Sequence, residues 1–472
     1  MGIYSEALSL LFSMRGKDTF RFSVPPIGPA AIGSYLKYHD IEVAIADFYY
    51  DEIQSGNFDI VGISSTFMGL EDVRNIADLV RQQNPSASIV LGGPLSWSMP
   101  PAKLLEMVMN IDYIVRQEGE ETFLELINAI IHNNDRQLIE GIVFLDREKG
   151  CIVETPPRRP LNIEVLPLPA WDIMGIPSRK RLPILPVETS RGCPYHCAYC
   201  SEVTYWDKPV RYRSEARVIS ELRYNAQKFG ITTFRFTDSC FSAPPERNAR
   251  ICDAIYEQCI KDGIPVKWSA YARIENLSPS LLDKMKRSGC VALDVGLESG
   301  SPIVLQRMNK NYDPEIAVII AKAARESGII INYNLIIGFP GETRKTIQST
   351  TELIERAAPD TFACFVFLLM PNSTVYNQRH EFGIDGMRLS WKHATMTSEE
   401  AKEAVLKLTK EITSSSNFPG GEHFACYLTS LGFSQEEIRH FYHATASLVK
   451  DPNDEAARSM LGAMFTKTSN FY

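Results

Sequence analysis

The sequence predicts an α/β protein in three parts: a doubly wound parallel sheet over residues 1–130, a partial (β/α)6 barrel over residues 187–385 and a small helical cap over residues 386–472. Apolar runs of strand length alternate with amphipathic helical stretches. This alternation stops in a proline-rich connector over residues 131–186 and then resumes with a longer period. The length of 472 residues agrees with this division, because it allows about three domains of roughly 150 residues.

Strand-like and helical stretches alternate through the first 130 residues. Parallel neighbours need crossover connections, so this alternation predicts a doubly wound sheet with its ligand site at the carboxyl ends of the strands. The predicted strands are 7–12, 42–46, 60–64, 88–91 and 113–116. The predicted helices are 29–38, 70–83, 102–108 and 122–131.

The connector combines a predicted hairpin with a run of prolines. The hairpin spans residues 141–154 and turns at 148–150, and eight prolines follow between residues 156 and 186. Proline continues neither a helix nor an interior strand, so we expect this stretch to wrap between two domains.

Six further strands, separated by helices, follow the connector. Right-handed crossovers curl such a series into part of a barrel, whose active site faces the carboxyl ends of its strands. The predicted strands are 185–189, 233–237, 266–272, 292–296, 330–337 and 361–369, and the helices lie near 214–228, 246–261, 279–288, 313–327 and 343–356. Beyond residue 386 strand alternation ends, and helical stretches at 398–414 and 434–449 predict the cap.

The composition excludes several classes of protein. Hydrophobic residues make up 44% of the chain and charged residues 22%, which indicates a folded protein with a substantial core. The net charge of −8 argues against general electrostatic binding to nucleic acid or to an anionic membrane, so we expect a small or peptidic substrate. No apolar run approaches the length of a membrane span and no signal peptide is visible, so we expect a cytoplasmic setting.

The strongest chemical signal is a group of three cysteines, Cys193, Cys197 and Cys200, on the loop after the first barrel strand. Three thiolates so close together converge well on one metal centre. Zinc normally takes a fourth ligand, which here requires His196 to point inward with the cysteines. An iron–sulfur cluster held by three cysteines leaves one iron open to a substrate or cofactor. Three ordinary buried cysteines are the remaining interpretation.

The spacing CxxxCxxC, with the aromatic Tyr199 before the last cysteine, resembles the hallmark of the radical S-adenosylmethionine superfamily. The resemblance implies that Cys193, Cys197 and Cys200 hold a [4Fe–4S] cluster whose open iron chelates the amino and carboxylate groups of S-adenosylmethionine. Reductive cleavage then gives methionine and a 5′-deoxyadenosyl radical that abstracts hydrogen. An electron donor such as flavodoxin or ferredoxin is therefore an expected partner.

The resemblance also assigns S-adenosylmethionine contacts, to Tyr199, Arg273, Glu298, Gly338 and Pro340. Glu298 follows the fourth strand, where a carboxylate accepts hydrogen bonds from hydroxyl or ammonium groups; a charge at a helix N-terminus is the alternative. Arg273 ends the third strand and is suited to bind the methionyl carboxylate, although an internal salt bridge explains it nearly as well. The segment 336–341 resembles the adenine-contacting segment, where a glycine admits a flat ring; a strand-to-helix turn at Gly341 is the alternative.

Hydroxyl and glycine residues follow two strands of the front domain, at 64–66 and 92–94, and Glu118 and Gly119 follow a third. Alone this pattern is weak, because such a sheet can hold a nucleotide, a flavin or nothing, and no GxGxxG or Walker motif is present. Placed before this barrel, the domain resembles the Rossmann-like cobalamin domain of cobalamin-dependent members of the superfamily. The residues that the resemblance assigns to cobalamin are Ser64, Ser65, Thr66, Gly92, Gly93, Pro94, Glu118 and Gly119.

The loop before the first helix departs from the pattern of methionine-synthase-like cobalamin domains. That pattern, DxHxxG, supplies a histidine that binds cobalt, whereas residues 23–28 here read SVPPIG. Proline cannot ligate a metal, so we expect no histidine from this loop on the lower face of the cobalt. His39 is expected on the surface.

These resemblances imply methyl transfer to an unactivated carbon of a natural-product intermediate as the leading function. One S-adenosylmethionine methylates cob(I)alamin and a second generates the radical. Ring formation, ring contraction or another rearrangement without methyl transfer is the alternative, and a non-catalytic scaffold is a third hypothesis. Methylthiotransferases that modify tRNA pair similar domains, but they need three cysteines in the front domain, and residues 1–150 contain none.

Several other residues have no assigned role. Cys240, just past the second strand, is a candidate hydrogen-atom donor to a substrate radical, although burial as a small hydrophobe explains it as well. Positions in a pocket wall or in ordinary packing are expected for Tyr205, Trp206, Tyr333 and Asn334.

Overall fold

A computed structural model of the protein describes residues 24–47, 51, 56, 58–66, 69–147, 149–175, 184–206, 209–451 and 453–469. Within them a five-stranded sheet is followed by a seven-stranded parallel sheet and a mostly helical carboxyl-terminal region. The strand predicted at 7–12 falls outside the described residues. No helix in the described part of the chain is long and apolar enough to cross a membrane.

The first sheet has helices on both faces, as predicted. Its elements are α1 (Ile27–Tyr38), β1 (Ile60–Ser64), α2 (Leu70–Gln83), β2 (Ser88–Gly92), α3 (Pro101–Met107), β3 (Tyr113–Val115) and α4 (Glu120–Ile131). Strands β1 to β3 run parallel, and alternate side chains point to opposite faces. Ile89 and Leu91 pack on one face with α2 and α3, whereas Val90 packs on the other with α4. His39, which follows α1, is exposed, as predicted.

Two predictions for this region were wrong. Residues 42–46 form no strand: they lie beside α1, where Ile45 fills the space next to Gly33, and no described strand pairs with them. The hairpin that we placed in the connector extends the first sheet instead, as β4 (Ile142–Asp146) and β5 (Cys151–Glu154), with β4 antiparallel to β3. Without β4, the edge of β3 would leave backbone N–H and C=O groups unpaired.

The second sheet is the predicted partial barrel. Its elements are β6 (Ile184–Val187), β7 (Ser190–Arg191), α5 (Glu202–Trp206), β8 (Arg211–Tyr212), α6 (Glu215–Phe229), β9 (Thr233–Phe236), α7 (Pro245–Ile255), β10 (Lys267–Arg273), α8 (Pro279–Arg287), β11 (Cys290–Glu298), α9 (Pro302–Arg307), α10 (Ile316–Ser327), β12 (Ile330–Ile337), α11 (Arg344–Ala357) and β13 (Thr361–Val366). Strands β6 and β9 to β13 lie parallel in chain order, while β7 and β8 form a separate ribbon. Outward side chains such as Trp268 and Tyr333 belong to the core formed with the helices. Inward side chains such as Asp294 and Asn332 are polar and bond to one another.

The carboxyl-terminal region contains strands as well as helices. The expectation that strands end near residue 386 was wrong, because β14 (Asp385–Met387), β15 (Ser390–His393) and β16 (Met396–Thr397) form a small antiparallel sheet. A further strand, β17 (Ser416–Asn417), extends the barrel sheet beside β13. These strands have two to four residues, which is too few to show alternation.

One carboxyl-terminal helix closes the barrel. The helices of this region are α12 (Thr374–Asn377), α13 (Ser398–Glu411), α14 (Gly421–Ser430), α15 (Gln435–Lys450) and α16 (Glu455–Ser469). Glu422 of α14 accepts a hydrogen bond from Ser269 Oγ at 3.3 Å, and a Cβ at Gly421 would lie 2.4 Å from Thr361 Oγ1. Since these partners lie near the amino ends of β10 and β13, α14 closes the end of the barrel opposite the predicted active site.

Candidate active site

The three cysteines lie on the loop between β7 and α5, at the carboxyl end of the first barrel strand. All three are free thiols; Cys197 is buried, whereas Cys193 and Cys200 are half-buried. Backbone hydrogen bonds hold the loop on two sides, since Ala198 N donates to Met308 O at 2.9 Å and Ala198 O accepts from Val375 N at 2.9 Å. The polypeptide itself therefore fixes the conformation of this loop.

The surroundings of the thiols fit a group that binds thiolates. Arg273 Nη1 donates to Cys197 Sγ at 2.8 Å, and a hydrogen bond with Cys240 lowers the pKa of Cys193 to about 7. Burial raises the pKa of Cys200 to about 12, so its thiolate needs a positive partner, which a bound iron supplies. The loop thus offers three thiols that become stable anions when they ligate a metal.

The zinc interpretation does not fit this loop. His196 is exposed, and its carbonyl accepts a hydrogen bond from Asn309 Nδ2 at 2.7 Å. Within the described ranges, no three His, Cys, Asp or Glu side chains are placed to hold one metal ion. A [4Fe–4S] cluster does not require such convergence, because each thiolate binds a different iron.

Glu298 ends β11 in a left-handed conformation with φ of +65°, at a bulge in the pairing with β12. Its buried carboxylate accepts hydrogen bonds from Tyr199 Oη at 2.7 Å and Lys310 Nζ at 3.0 Å. Strain of this kind in a non-glycine residue is characteristic of functional sites. The partners of Glu298 are side chains and not helix amides, which argues against the helix N-terminus alternative. Sequence reasoning missed Lys310, because nothing in its local pattern marks it.

Arg273 reaches the cysteine loop, but it does so as part of an internal salt bridge. Its Nε donates to Glu275 Oε1 at 2.7 Å while its Nη1 bonds to Cys197. The guanidinium carbon also lies 3.8 Å from the centre of the Tyr195 ring. A bidentate contact with a methionyl carboxylate would have to replace one of these partners.

The segment that contains Gly338 and Pro340 does not present an open face. Gly338 has φ of +94°, and a Cβ there would lie 2.5 Å from Trp391 Cη2. Trp391 Nε1 donates to Phe367 O at 2.8 Å, which holds the indole in place. The flat ring that this glycine admits is therefore the protein's own tryptophan, from β15. Pro340 is buried as well, so the structure does not support adenine contacts at either residue.

Two of the predicted cobalamin segments meet at the carboxyl edge of the first sheet. Ser65 N donates to Gly92 O at 3.4 Å. Gly93 has φ of +77°, and a Cβ there would lie 2.9 Å from Ser64 Oγ. Only glycine allows the two loops to approach this closely.

This edge is open to a ligand. Ser64 and Thr66 are exposed, and Pro94 is half-buried at the start of a short 3-10 turn. A Cβ at Gly92 would meet open space. Hydroxyl groups and room for a cofactor therefore occur together at this edge.

Glu118 and Gly119 make contacts within the protein. Glu118 accepts from Arg191 Nη1 at 2.6 Å and from Arg211 Nη1 at 2.8 Å, both on the barrel side. A Cβ at Gly119 would lie 2.9 Å from Ile32 Cδ1, so this glycine packs against α1. The structure therefore does not support a cobalamin contact by the Glu118 carboxylate, because ion pairs between the domains already occupy it.

Most of the other candidate residues are packing residues. Tyr205 and Trp206 pack edge to face on α5 with ring centres 4.9 Å apart. Tyr333 is buried, and its Oη donates to a helix carbonyl at 2.7 Å. Cys240 is buried in contact with Cys193, so it lies at the cysteine loop.

Four side chains line a lumen inside the barrel, and sequence reasoning named only one of them, Asn334. Asn334 Nδ2 donates to Asp294 Oδ1 at 2.6 Å on the inner face. Tyr271 and Phe365 lie on the same face and are 39% and 47% exposed, although helices cover the outside of their strands. Inward side chains with this exposure face open space. Strand parity would have found them, because alternate residues of a strand share a face.

Two family models match the chain. The model of the radical SAM superfamily matches residues 187–354, and the model of the B12 binding domain matches residues 17–127. The first range lies within the barrel and the second contains the parallel strands of the first sheet.

Similarity to known proteins extends over most of the chain. An uncharacterized methyltransferase of Pyrococcus horikoshii is 30% identical over 344 residues, which cover 70% of this chain and 73% of the relative. The anaerobic magnesium-protoporphyrin IX monomethyl ester cyclase of Rubrivivax gelatinosus is 25% identical over 75% of this chain and 66% of the relative. The solved structure of the radical S-adenosylmethionine methyltransferase TsrM from Kitasatospora setae, with cobalamin and a [4Fe–4S] cluster bound, covers 92% of this chain and 98% of its own, with a TM-score of 0.71 and 17% identity.

The chain therefore belongs to the radical S-adenosylmethionine superfamily. Within it, this is a cobalamin-dependent enzyme, and its cofactors are a [4Fe–4S] cluster, S-adenosylmethionine and cobalamin. The fold class and the cofactors predicted from the sequence are confirmed.

Proposed function

We propose that this enzyme transfers a methyl group to an unactivated carbon of a small natural-product intermediate. The supporting observation is the contact between the loops proposed to hold the cofactors. Gln117 Nε2, just after β3, donates to Tyr205 O on α5 at 3.1 Å. Asn372 Nδ2, from the barrel, donates to Trp97 O, just after the glycine turn, at 2.6 Å. The loops that follow β2 and β3, next to the proposed cobalamin edge, therefore contact α5 after the cysteine loop and Asn372 of the barrel. Methyl transfer with radical chemistry needs the two cofactors in one place.

Each cofactor has a proposed set of residues in this chain. The cluster ligands are Cys193, Cys197 and Cys200; the S-adenosylmethionine site includes Glu298, Tyr199 and Lys310; and the cobalamin edge comprises residues 64–66 and 92–94. When bound, these cofactors supply a 5′-deoxyadenosyl radical and a transferable methyl group. Glu298 is held by two donors, and its carboxylate retains acceptor capacity for a hydroxyl or ammonium group. A flavodoxin or ferredoxin is the proposed electron donor.

The lumen of the barrel is the proposed substrate site. Tyr271, Asp294, Asn334 and Phe365 combine two aromatic surfaces with an amide and a carboxylate. The guanidinium of Arg235 lies 4.5 Å from the Tyr271 ring, and its Nε lies 3.2 Å from a carboxylate oxygen of α14. Because α14 closes the lower end, the lumen suits a small molecule or a short peptide segment with both polar and apolar groups.

Ring formation, ring contraction or another rearrangement without net methyl transfer is the second candidate. The observation that favours it is the 25% identity to a cyclase over 75% of this chain. Both candidates use the same cofactors, so the fate of the methyl group separates them.

The test is a labelling experiment with enzyme reconstituted under anaerobic conditions. Cell extracts made with and without the active protein are incubated with S-adenosylmethionine that carries a trideuteromethyl group and are compared by untargeted mass spectrometry. Methyl transfer predicts a product with an intact trideuteromethyl group, formed together with 5′-deoxyadenosine, and neither in Cys197→Ala. A new unlabelled product formed with 5′-deoxyadenosine would refute methyl transfer and favour rearrangement. Absence of iron–sulfur absorption from the reconstituted protein would favour the scaffold hypothesis.

A further inference from the structure

A buried arginine joins the two domains next to the cysteine loop. Arg191 ends β7, two residues before Cys193, and is 7% exposed. Each of its side-chain nitrogen atoms donates to a different carboxylate: Nη1 to Glu118 at 2.6 Å, Nη2 to Glu120 at 2.6 Å and Nε to Glu188 at 2.9 Å. The first two carboxylates belong to the first domain and the third belongs to the barrel. One guanidinium thus holds three points on both sides of the interface.

The ionic contacts continue into the barrel. Arg213 donates from Nη2 to Glu188 at 3.2 Å and from Nη1 to Glu221 at 2.9 Å, and both Arg213 and Glu221 are buried. Glu188 therefore links Arg191 to a second buried arginine and, through it, to α6. A movement of the first domain relative to the barrel would separate the largely buried charges of Arg191, Glu118 and Glu120, and an unpaired buried charge is costly.

Stability alone does not explain why this interface uses charged residues. A buried ion pair adds little net stability relative to an apolar contact of similar volume, because desolvation offsets the attraction. Its directed hydrogen bonds do specify one arrangement over others, and the planar fork of arginine is suited to this role. The charged contacts at this interface therefore specify the relative placement of the two domains more than they stabilise their association.

The two ends of the contact lie next to the proposed cofactor sites. Gly192, with φ of +96°, is the single residue between Arg191 and Cys193. On the other side, Glu118 lies in the loop that follows β3, at the carboxyl edge of the sheet, where Gly92 ends β2. A shift of the Arg191 guanidinium would therefore displace both the loop that carries Glu118 and the cysteine loop.

We propose that Arg191 is a positioning residue that sets the placement of the cobalamin domain against the cysteine loop. This inference rests on the proposed function, in which the cluster and cobalamin act together. Arg191 acts through the loops that carry Glu118 and Cys193. Without its bonds to Glu118 and Glu120, the two domains take up a wider range of relative placements while each keeps its cofactor.

The test measures the relative placement of the two cofactors in frozen holoenzyme. The reduced [4Fe–4S] cluster relaxes fast and therefore accelerates the relaxation of the slower cob(II)alamin spin. This enhancement depends steeply on the distance and orientation of the two centres. Arg191→Lys keeps the charge but replaces the planar fork with a single ammonium group. The matched control is Arg356→Lys, because Arg356 pairs with Glu315 on the surface, where their side chains are 54% and 56% exposed. Glu120→Gln is a second variant, which weakens one contact and keeps the shape of the side chain.

We expect wild-type iron and cobalamin contents in all three variants and unchanged relaxation in Arg356→Lys. The enhancement should fall several-fold in Arg191→Lys and by a smaller factor in Glu120→Gln. Unchanged relaxation in Arg191→Lys would overturn the proposal, and so would unchanged relaxation in Glu120→Gln if Arg191→Lys does not fold. Loss of a cofactor with normal relaxation in the remaining holoenzyme would assign Arg191 to cofactor retention instead. No substrate or product enters this measurement, so its failure is distinct from a failure of methyl transfer, which is read from the product label.

Discussion

The close contact between the Trp391 ring and Gly338 can be tested with Gly338→Ala. Gly338 has φ of +94°, and the new Cβ would lie 2.5 Å from Trp391 Cη2 and 2.8 Å from Ala401 Cβ. Both neighbours are buried in a close-packed core, so neither can move aside without disturbing other contacts. The substitution therefore combines a strained backbone with a steric overlap.

The expected loss of stability is the sum of these two costs. A left-handed conformation costs an L-residue about 1–2 kcal/mol, and an added methyl group in a packed core costs about 1–3 kcal/mol. Gly383→Ala is the matched control, because Gly383 has φ of +62° and no atom lies within 4 Å of the added Cβ. We expect Gly383→Ala to lose about 1–2 kcal/mol and Gly338→Ala to lose about 2–5 kcal/mol.

Urea unfolding, monitored by tryptophan fluorescence, compares the stability of the two variants with that of the wild type. Equilibrium dialysis measures their affinity for S-adenosylmethionine. The overlap predicts a clearly lower unfolding midpoint for Gly338→Ala than for Gly383→Ala. Equal midpoints would show that Trp391 does not occupy this position. A Gly338→Ala variant with normal stability and lost S-adenosylmethionine binding would show that Gly338 faces the cofactor, as the family resemblance implies.

Three further tests probe two buried charged groups and the proposed cobalamin edge. Lys310→Met removes a partner of the buried Glu298 carboxylate and should lower the free energy of unfolding by about 3 kcal/mol or more, whereas adding Glu298→Leu should recover most of this loss. Urea unfolding measures both variants. Equal midpoints for the single and the double variant would contradict the pairing. Burial raises the pKa of Glu342 from 4.5 to about 8, so the folded state keeps a proton that the unfolded state releases. The free energy of unfolding should therefore fall as the pH rises from about 5 to 8, by an amount on the order of 4 kcal/mol for this group, and Glu342→Gln should remove that contribution. Urea midpoints of variant and wild type that change in parallel with pH would contradict this. Gly92→Val fills open space at the proposed cobalamin edge, so spectroscopic titration should show weaker cobalamin binding at an unchanged unfolding midpoint, whereas Gly93→Ala should lower the midpoint.

The regular elements of both domains follow from the sequence where the periodicity is strong. The strand predicted at 330–337 and the helix predicted at 70–83 have these same bounds in the structure. The strand carries apolar residues at 331, 333, 335 and 337, which share one face, and the helix carries apolar residues at helical spacing. The strands β14 to β16 were missed because two to four residues carry too little pattern. Residues 42–46 show the reverse error, since their alternation arises from packing beside α1 and not from strand pairing.

The candidate site divides in a similar way. The cysteine loop can be predicted because its residues are neighbours in the sequence and their spacing carries the signal. Lys310 and Trp391 cannot, because they reach Glu298 and Gly338 only when the chain has folded. Glu118 was expected at the edge of the sheet, where it lies, but its ion pairs depend on the packing of two domains, which no local pattern encodes.

The metal centre is the feature on which the proposed chemistry depends. Its test is the iron content of anaerobically reconstituted wild-type enzyme, Cys197→Ala and Cys240→Ala, with the visible absorption recorded on the same samples. Cys197 is a proposed ligand, whereas Cys240 is buried beside Cys193 and outside the cysteine motif. We expect about four irons per chain in the wild type and in Cys240→Ala, and loss of the cluster in Cys197→Ala. Full iron content in Cys197→Ala, or an equal loss in Cys240→Ala, would show that a different set of cysteines holds the metal.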